Sequence, residues 1–191
     1  MSSAIRTVLS WLGVTVVAAN AILMQLLLFT SFFLDGLAHA AEALVGQAIG
    51  RRDRAGVRRA VRSATELSLL AAVLLCGFYA GLGGAFIDAM TTDTSIRTAT
   101  REWLIWAILL PLTGVGSFLL DGIFIGATRT RAMRNGMVVA VVLFVASTGL
   151  LVPRFGNHGL WAAFTLMLLA RAAGLAVVLP RLLRGGTPST R

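Results

Sequence analysis

Residues 30–42 read TSFFLDGLAHAAE, and this apolar run carries three ionisable side chains, Asp35, His39 and Glu42. Their spacing places all three on one face of an α-helix, and Ser31 lies one turn before Asp35 on the same face. A carboxylate left unpaired in apolar surroundings is costly. Within a membrane such residues face a bundle interior or a water-filled cavity. The stretch therefore predicts a membrane helix with one polar stripe.

The composition places this helix in a lipid bilayer. Of the 191 residues, 57% are hydrophobic and only 13% are charged, whereas a soluble domain carries about 25% charged residues. Several apolar runs approach the ~20 residues needed to cross a ~30 Å hydrocarbon core. A water-soluble fold of this length cannot bury so much apolar surface. The predicted fold class is all-α, a polytopic membrane helix bundle.

The apolar runs predict one partial helix and about five full transmembrane helices, together one lobe over residues 1–180. The partial helix covers residues 1–13, with a break near Gly13. The full spans are predicted at about residues 14–49, 64–87, 103–128, 136–153 and 159–180, and residues 181–191 form a basic, disordered tail. Pro111 is expected to kink the third span and to free a backbone carbonyl that neighbours must satisfy. Gly77 and Gly81 are expected to allow close helix approach in the second span.

The net charge of +9 comes from arginine, since the chain contains no lysine. Most arginines cluster in short segments between apolar runs, and this position argues against nucleic acid as a partner. Arginine concentrates in cytoplasmic loops, so these segments and the tail are predicted to be cytoplasmic and residues 88–101 to lie outside. The loop arginines are Arg51, Arg52, Arg54, Arg129, Arg131 and Arg134.

A second polar face is predicted on the third span, where Thr113, Ser117 and Asp121 are four residues apart. Residues 117–122 match residues 31–36 at five of six positions. Transporters often carry weak internal repeats, and chance in an apolar sequence is the alternative. Asp121 and Asp35 either face a central cavity or form hydrogen bonds between packed helices.

Arg171 is a basic residue inside the fifth span. It either extends along the helix to the near membrane interface or pairs with an acid in the bundle. Glu42 lies about 10 Å further along its helix than Asp35, nearer the cytoplasmic side. It either takes part in coupling or pairs with Arg51 or Arg171.

The sequence lacks the residue patterns of common catalytic sites. It contains no Gly-rich phosphate loop, no Cys or His cluster with metal-ligand spacing and no short-range Ser-His-Asp set. The single Cys76 excludes a disulfide framework, and its place in an apolar run suits a packing role. His39 and Glu42 have a spacing that some metal sites use, but the chain has no second such pair. We predict no enzyme, no cofactor and no metal.

Three groups of motifs resemble the multidrug and toxic compound extrusion (MATE) family, most of all its DNA-damage-inducible protein F subgroup. LDG at 34–36, AEA at 41–43 and GQAxGxxD at 46–53 resemble the eighth helix of that family. LDGIFIGATR at 120–129 with MRN at 133–135 resembles its tenth helix and the following loop. GNHGLW at 156–161 resembles the turn into its last helix. The resemblance covers nearly the whole chain but only the C-terminal half of the family's pattern.

This resemblance implies the fold and function of a MATE antiporter. Such a protein has two six-helix lobes around a central cavity and exports cationic or amphipathic compounds by alternating access, driven by H+ or Na+. The expected location is the bacterial inner membrane. Because only the second lobe is matched, the chain is expected to be a fragment, a truncated frame or a half that pairs with a missing N-terminal lobe in cis or in trans.

The candidate residues for substrate or ion coupling follow from both arguments. Asp35 and Asp121 are hypothesised to attract the cationic substrate or the coupling ion, and His39 to relay a proton or pair with the acids. Glu42, Ser117 and Thr113 complete the candidate set.

Two other functions stay open. A non-transporting membrane remnant or subunit predicts polar stripes that are packed shut. A lipid or oligosaccharide-lipid flippase of the same superfamily predicts a larger and more basic groove.

Overall fold

The computed structural model describes the backbone of residues 3–185 and the side chains of residues 13–183. Within these residues the chain forms four helical elements and no strand, which confirms the all-α prediction. They are α1 (Ser3–Gly50), α2 (Arg54–Met90), α3 (Thr94–Gly126) and α4 (Thr130–Gly185). Each contains a segment long and apolar enough to cross a membrane.

Two glycines with positive φ interrupt the longest elements. Gly13, at φ 70°, separates residues 3–12 from the rest of α1. Gly156, at φ 56°, divides α4 into residues 130–155 and 157–185. This left-handed conformation favours glycine, because it has no Cβ. The second part of α4 folds back on the first, since Gly136 lies against Leu175.

The helices alternate in direction, and α3 lies at the centre of the bundle. Helices α1 and α3 run parallel, with Ala38 beside Gly122, and α2 runs opposite to both, with Tyr79 beside Leu26. Helix α3 packs against α1, α2 and α4, whereas α1 contacts α4 at few residues, Asn20 among them. Many large apolar side chains outside these contacts are exposed, Phe32 among them. In a bilayer this surface faces lipid tails, which are as apolar as the side chains.

The helices are longer than the predicted spans, and several predicted loops are helical. Residues 51–62 were expected in a loop, but only residues 51–53 lie between α1 and α2. Residues 88–101 were expected in a polar loop, but only residues 91–93 lie between α2 and α3. Arginine has a high helix propensity, so helices continue beyond the apolar runs that reveal them.

The same correction applies around α4. Arg131 and Arg134 lie in its first turns rather than in a loop, and Arg129 belongs to the short connection before it. Residues 181–185 of the predicted disordered tail continue the helix. Residues 186–191 lie outside the described residues.

Aspartate side chains fix where α2 and α3 begin. Asp53 accepts a hydrogen bond of 2.8 Å from the Gly56 N–H, and Asp93 accepts one of 2.8 Å from the Ser95 N–H. Such caps satisfy N–H groups that have no partner inside the helix. The Ser95 hydroxyl and then its N–H lower the pKa of Asp93, because both bonds favour the carboxylate.

Helix α3 passes through Pro111 without a non-helical residue, and Pro111 is buried. A neighbour satisfies a carbonyl in the preceding turn, since the Cys76 thiol donates a 2.9 Å hydrogen bond to the Ile108 oxygen. The prediction of a packing role for Cys76 was therefore incomplete, because the thiol also links α2 to α3.

Candidate functional site

Two glycines of α3 bring the predicted acidic residues of α1 and α3 together. A Cβ at Gly122 would collide with the Ala38 carbonyl, and one at Gly126 with the Glu42 carbonyl. Small residues four apart allow this close approach of two helices. The sequence prediction had placed it at Gly77 and Gly81, but neither has a neighbour within 4 Å of its Cβ position among the described residues.

Asp121 on α3 forms an ion pair with Arg171 on the second part of α4. Their Oδ2 and Nη2 atoms lie 2.5 Å apart, and the side chains are 17% and 27% exposed. Of the two predicted alternatives for Arg171, extension to the interface is therefore wrong and pairing with an acid is correct. The other carboxylate oxygen of Asp121 is buried and has no hydrogen-bond partner among the described residues. Asp121 thus has one buried acceptor oxygen without a hydrogen-bond partner among the described residues.

Asp35 on α1 is exposed, in contrast to Asp121. It lies one turn before Ala38, the residue that contacts Gly122 next to Asp121. It has no ion pair within the part of the chain that the structure describes. The site therefore combines a carboxylate neutralised by a guanidinium with a second carboxylate that is open.

His39 and Glu42 lie one and two turns beyond Asp35 on α1. The His39 Nδ1 and a Glu42 carboxylate oxygen are 3.4 Å apart, and His39 is 77% exposed. The predicted pairing of Glu42 with Arg51 or Arg171 is absent among the described ion pairs, because Arg171 is engaged by Asp121. These two side chains extend the polar stripe toward the arginine-rich end of the bundle.

Thr113 and Ser117 lie on α3 two turns and one turn before Asp121. The Thr113 hydroxyl bonds to the Leu109 and Leu110 carbonyls of its own helix, each at 3.2 Å. Ser117 is fully buried. Thr113 is half-buried, and only Asp121 of the three has a charged partner.

Sequence reasoning missed a polar cluster at the far end of α1. Asn20 and Asn157 exchange two amide hydrogen bonds, of 2.7 and 2.9 Å, and the Trp161 N–H donates to the Asn20 side chain at 3.0 Å. This cluster ties α1 to the second part of α4 next to the break at Gly156. An asparagine inside an apolar run was the available signal, because such a side chain needs a partner when buried.

The two ends of the bundle differ in charge. Toward one end the described side chains include ten arginines but only three acids, Glu42, Asp53 and Glu66. At the other end three arginines face three acids, and Asp88 pairs there with Arg101 at 2.7 Å. The ten arginines are Arg51, Arg52, Arg54, Arg58, Arg59, Arg62, Arg129, Arg131, Arg134 and Arg181.

Comparison with known proteins gives a consistent set of relatives. A family model described as MatE matches residues 1–150. The chain is 44% identical over 176 residues to DNA damage-inducible protein F of Escherichia coli (strain K12), a match that covers 92% of this chain and 38% of that protein. It is 29% identical over 171 residues to Protein DETOXIFICATION 44, chloroplastic, of Arabidopsis thaliana, which covers 85% of this chain and 31% of that protein. The chain thus spans less than two fifths of the length of these curated relatives.

Proposed function

This chain belongs to the MatE family of transporters, and we propose that it acts as the C-terminal lobe of a secondary active efflux antiporter for cationic or amphipathic compounds. It is a multi-pass membrane protein, with helices of the required length and composition. In this proposal, transport is coupled to H+ or Na+ and proceeds by alternating access. It requires no cofactor.

The observation that carries the proposal is the open carboxylate of Asp35 beside the paired Asp121. Arg171 already balances the charge of Asp121, so Asp35 adds a net negative charge to an apolar helix. Such a carboxylate is stabilised by binding a proton or a cation. Because one carboxylate serves either ligand but not both, uptake of the coupling ion releases the substrate cation. This competition is the physical basis of antiport.

His39 and Glu42 extend the same stripe and suit a path for the coupling ion. Histidine is a common proton shuttle in proteins. His39 lies one turn from Asp35 and 3.4 Å from Glu42. We propose that protons pass along these groups to Asp35, on the side nearer the arginine-rich end.

The arginine-rich end is proposed to be cytoplasmic, in a bacterial inner membrane. Support comes from the charge difference between the ends, since arginine accumulates on the cytoplasmic side. The proposed partner is an N-terminal lobe, in cis or in trans, which faces Asp35 across the cavity. Support for this partner comes from the exposed polar stripe of α1, which no described helix covers.

The two alternatives fit these observations less well. A flippase was expected to have a large, more basic groove, whereas the mid-span Arg171 is balanced by Asp121 and the other arginines lie toward the ends of the helices. A non-transporting remnant was expected to have its polar stripes packed shut, whereas Asp35 and His39 are exposed.

The test measures efflux of a cationic dye from everted membrane vesicles under an imposed pH or Na+ gradient. The vesicles contain this chain, alone or with the N-terminal lobe of the Escherichia coli relative. We expect Asp35→Asn to reduce gradient-driven efflux at least about tenfold, since asparagine holds neither a proton nor a charge. The gradient that drives wild-type efflux identifies the coupling ion.

The matched control is Glu66→Gln, which also removes one carboxylate. Glu66 is exposed and pairs with Arg62 at 2.8 Å on α2, so it is not part of the polar stripe of α1. This variant should keep wild-type efflux. Full efflux in Asp35→Asn, or equal losses in both variants at equal protein levels, contradicts the proposed role.

A further inference from the structure

A basic cavity lies where the α3–α4 connection meets the last turns of α4. Its volume is about 510 Å³, and its lining includes Arg129, Arg131 and Arg181. The size falls within the range of small-molecule sites. The cavity is separate from Asp35 and Asp121, which do not line it.

The three guanidinium groups have no ion pair with an acid in the part of the chain that the structure describes. Other arginines near this end do have one, as Arg59 with Asp53 and Arg62 with Glu66 show. No acidic residue lines the cavity. Three like charges around one space repel each other, so the space favours an anion.

The backbone adds further donors to the same cavity. Thr130, which lines it, is the first residue of α4, and the helix continues for 26 residues to Gly156. The first N–H groups of a helix have no partner within it and carry a partial positive charge. The Ala132 N–H already donates to the Arg129 carbonyl at 3.1 Å, so Thr130 and Arg131 supply the donors here. Phosphate groups bind well at this position, particularly beside arginine, whose planar group donates two parallel hydrogen bonds.

The lining of the cavity also contains apolar side chains, which point to the source of the phosphate. Val178 and Leu182 line it, and Leu182 belongs to the buried core at this end of the helices. Contact with apolar side chains does not stabilise a small inorganic anion. A phospholipid needs both surfaces, because its headgroup is charged and its glycerol and acyl chains are apolar.

We propose that this cavity binds the phosphate of an anionic phospholipid at the membrane surface. Basic pockets between membrane helices bind such headgroups. The bound phosphate offsets one of the three positive charges and joins the α3–α4 connection to the end of α4. This site is independent of the proposed transport function, since it uses neither Asp35 nor Asp121.

The experiment measures binding of fluorescent phosphatidylglycerol to the purified full chain in neutral detergent, with phosphatidylcholine as the zwitterionic comparison. We expect phosphatidylglycerol to bind at least about tenfold more tightly. Each arginine near anionic lipid contributes about fivefold in affinity. The triple variant Arg129→Gln, Arg131→Gln, Arg181→Gln should therefore lose about a hundredfold.

The matched control removes three charges from the same end but outside the cavity, through Arg51→Gln, Arg54→Gln and Arg58→Gln. It should lose less than about threefold, since these side chains do not line the cavity. Equal losses in both triple variants show attraction by general charge and overturn the proposal. If the cavity triple variant does not fold, Arg131→Gln and Arg181→Gln are compared singly with Arg58→Gln.

Inorganic phosphate separates the two sources of this anion. We expect it to compete with phosphatidylglycerol only at concentrations far above those of the lipid. Tight binding of inorganic phosphate together with equal binding of both lipids overturns the assignment to a phospholipid. The readout is binding, so loss of transport does not affect its interpretation.

Discussion

Residues 31–36 of α1 and residues 117–122 of α3 have nearly the same sequence but different surroundings. Asp35 is exposed, whereas Asp121 is largely buried and paired with Arg171. Ser31 is half-buried, whereas Ser117 is fully buried. The leucine directly before each aspartate, Leu34 in α1 and Leu120 in α3, is buried.

The glycines show the same contrast. A Cβ at the last residue of the α3 segment, Gly122, would collide with the backbone of α1, but one at Gly36 would meet no atom within 4 Å. The cause is the position of each helix, since α3 packs against three helices and α1 lies at the edge of the bundle. The same residue types therefore hold the bundle together in α3 and remain available to a ligand in α1.

The largest expected effect comes from removing the partner of Asp121. Arg171→Met leaves a largely buried carboxylate without its cation, and breaking such a pair costs about 3 kcal/mol or more. Asp35→Asn should change stability by less than about 0.5 kcal/mol, because it is an exposed substitution. Equilibrium unfolding of the detergent-solubilised chain, followed by circular dichroism, measures both.

A double variant checks the cause. Asp121→Asn combined with Arg171→Met removes both charges and should recover most of the lost stability, since no unpaired charge remains. If the double variant is as unstable as Arg171→Met alone, the loss comes from packing of the arginine side chain. The charge of Asp121 would then contribute no more to the stability of the protein than the charge of Asp35. The two segments would not differ at this position.

The next effect compares the glycines. Gly122→Ala forces α1 and α3 apart and should cost about 2 kcal/mol, the usual range for an added group in a packed contact. Gly36→Ala should be neutral or stabilise the chain by up to about 1 kcal/mol, since alanine is the better helix former. Unfolding under the same conditions measures both changes. Equal costs for the two variants would contradict the close contact at Gly122.

A smaller effect tests whether the α1 segment faces water. The two cysteine variants Ser31→Cys and Ser117→Cys are compared in a Cys76→Ser background. Ser31→Cys should react with a membrane-impermeant maleimide at least about tenfold faster. This ratio corresponds to a difference of about 1.4 kcal/mol in the free energy of exposing the thiol. The reason is that Ser117 is fully buried and Ser31 lies on the same face as Asp35. Equally slow labelling of both would place the α1 stripe against lipid and remove the support for an aqueous cavity.

The apolar runs were sufficient to predict membrane helices, but not where they end. Arg54 and Arg131 lie in water-exposed helical turns, and neither hydropathy nor charge distinguishes such a turn from a loop. The two left-handed glycines, Gly13 and Gly156, lie where the sequence predicted breaks, near residue 13 and between the spans 136–153 and 159–180.

The candidate site was predictable in its acids but not in its pairing. Asp35 and Asp121 stood out because charge is rare in apolar helices. The partner of Asp121 is 50 residues away, and only the packing of α4 on α3 selects Arg171. Asn20 depends on Asn157 in the same way. Contacts between helices far apart in sequence leave no local pattern.

The smallest effect concerns how α2 holds the helices that carry the two segments. From neighbouring turns of α2, Tyr79 donates a 3.0 Å hydrogen bond to the Leu26 carbonyl of α1, and Cys76 donates one to the Ile108 carbonyl of α3. Tyr79→Phe should cost about 1 kcal/mol, the net value of a buried hydrogen bond. Cys76→Ala should cost about 0.5 kcal/mol, because a thiol is a weak donor, while Cys76→Ser should be close to neutral. Unfolding measurements that reverse this order would mean that α3, rather than α1, depends more on its polar link to α2, although α3 already has three packed neighbours.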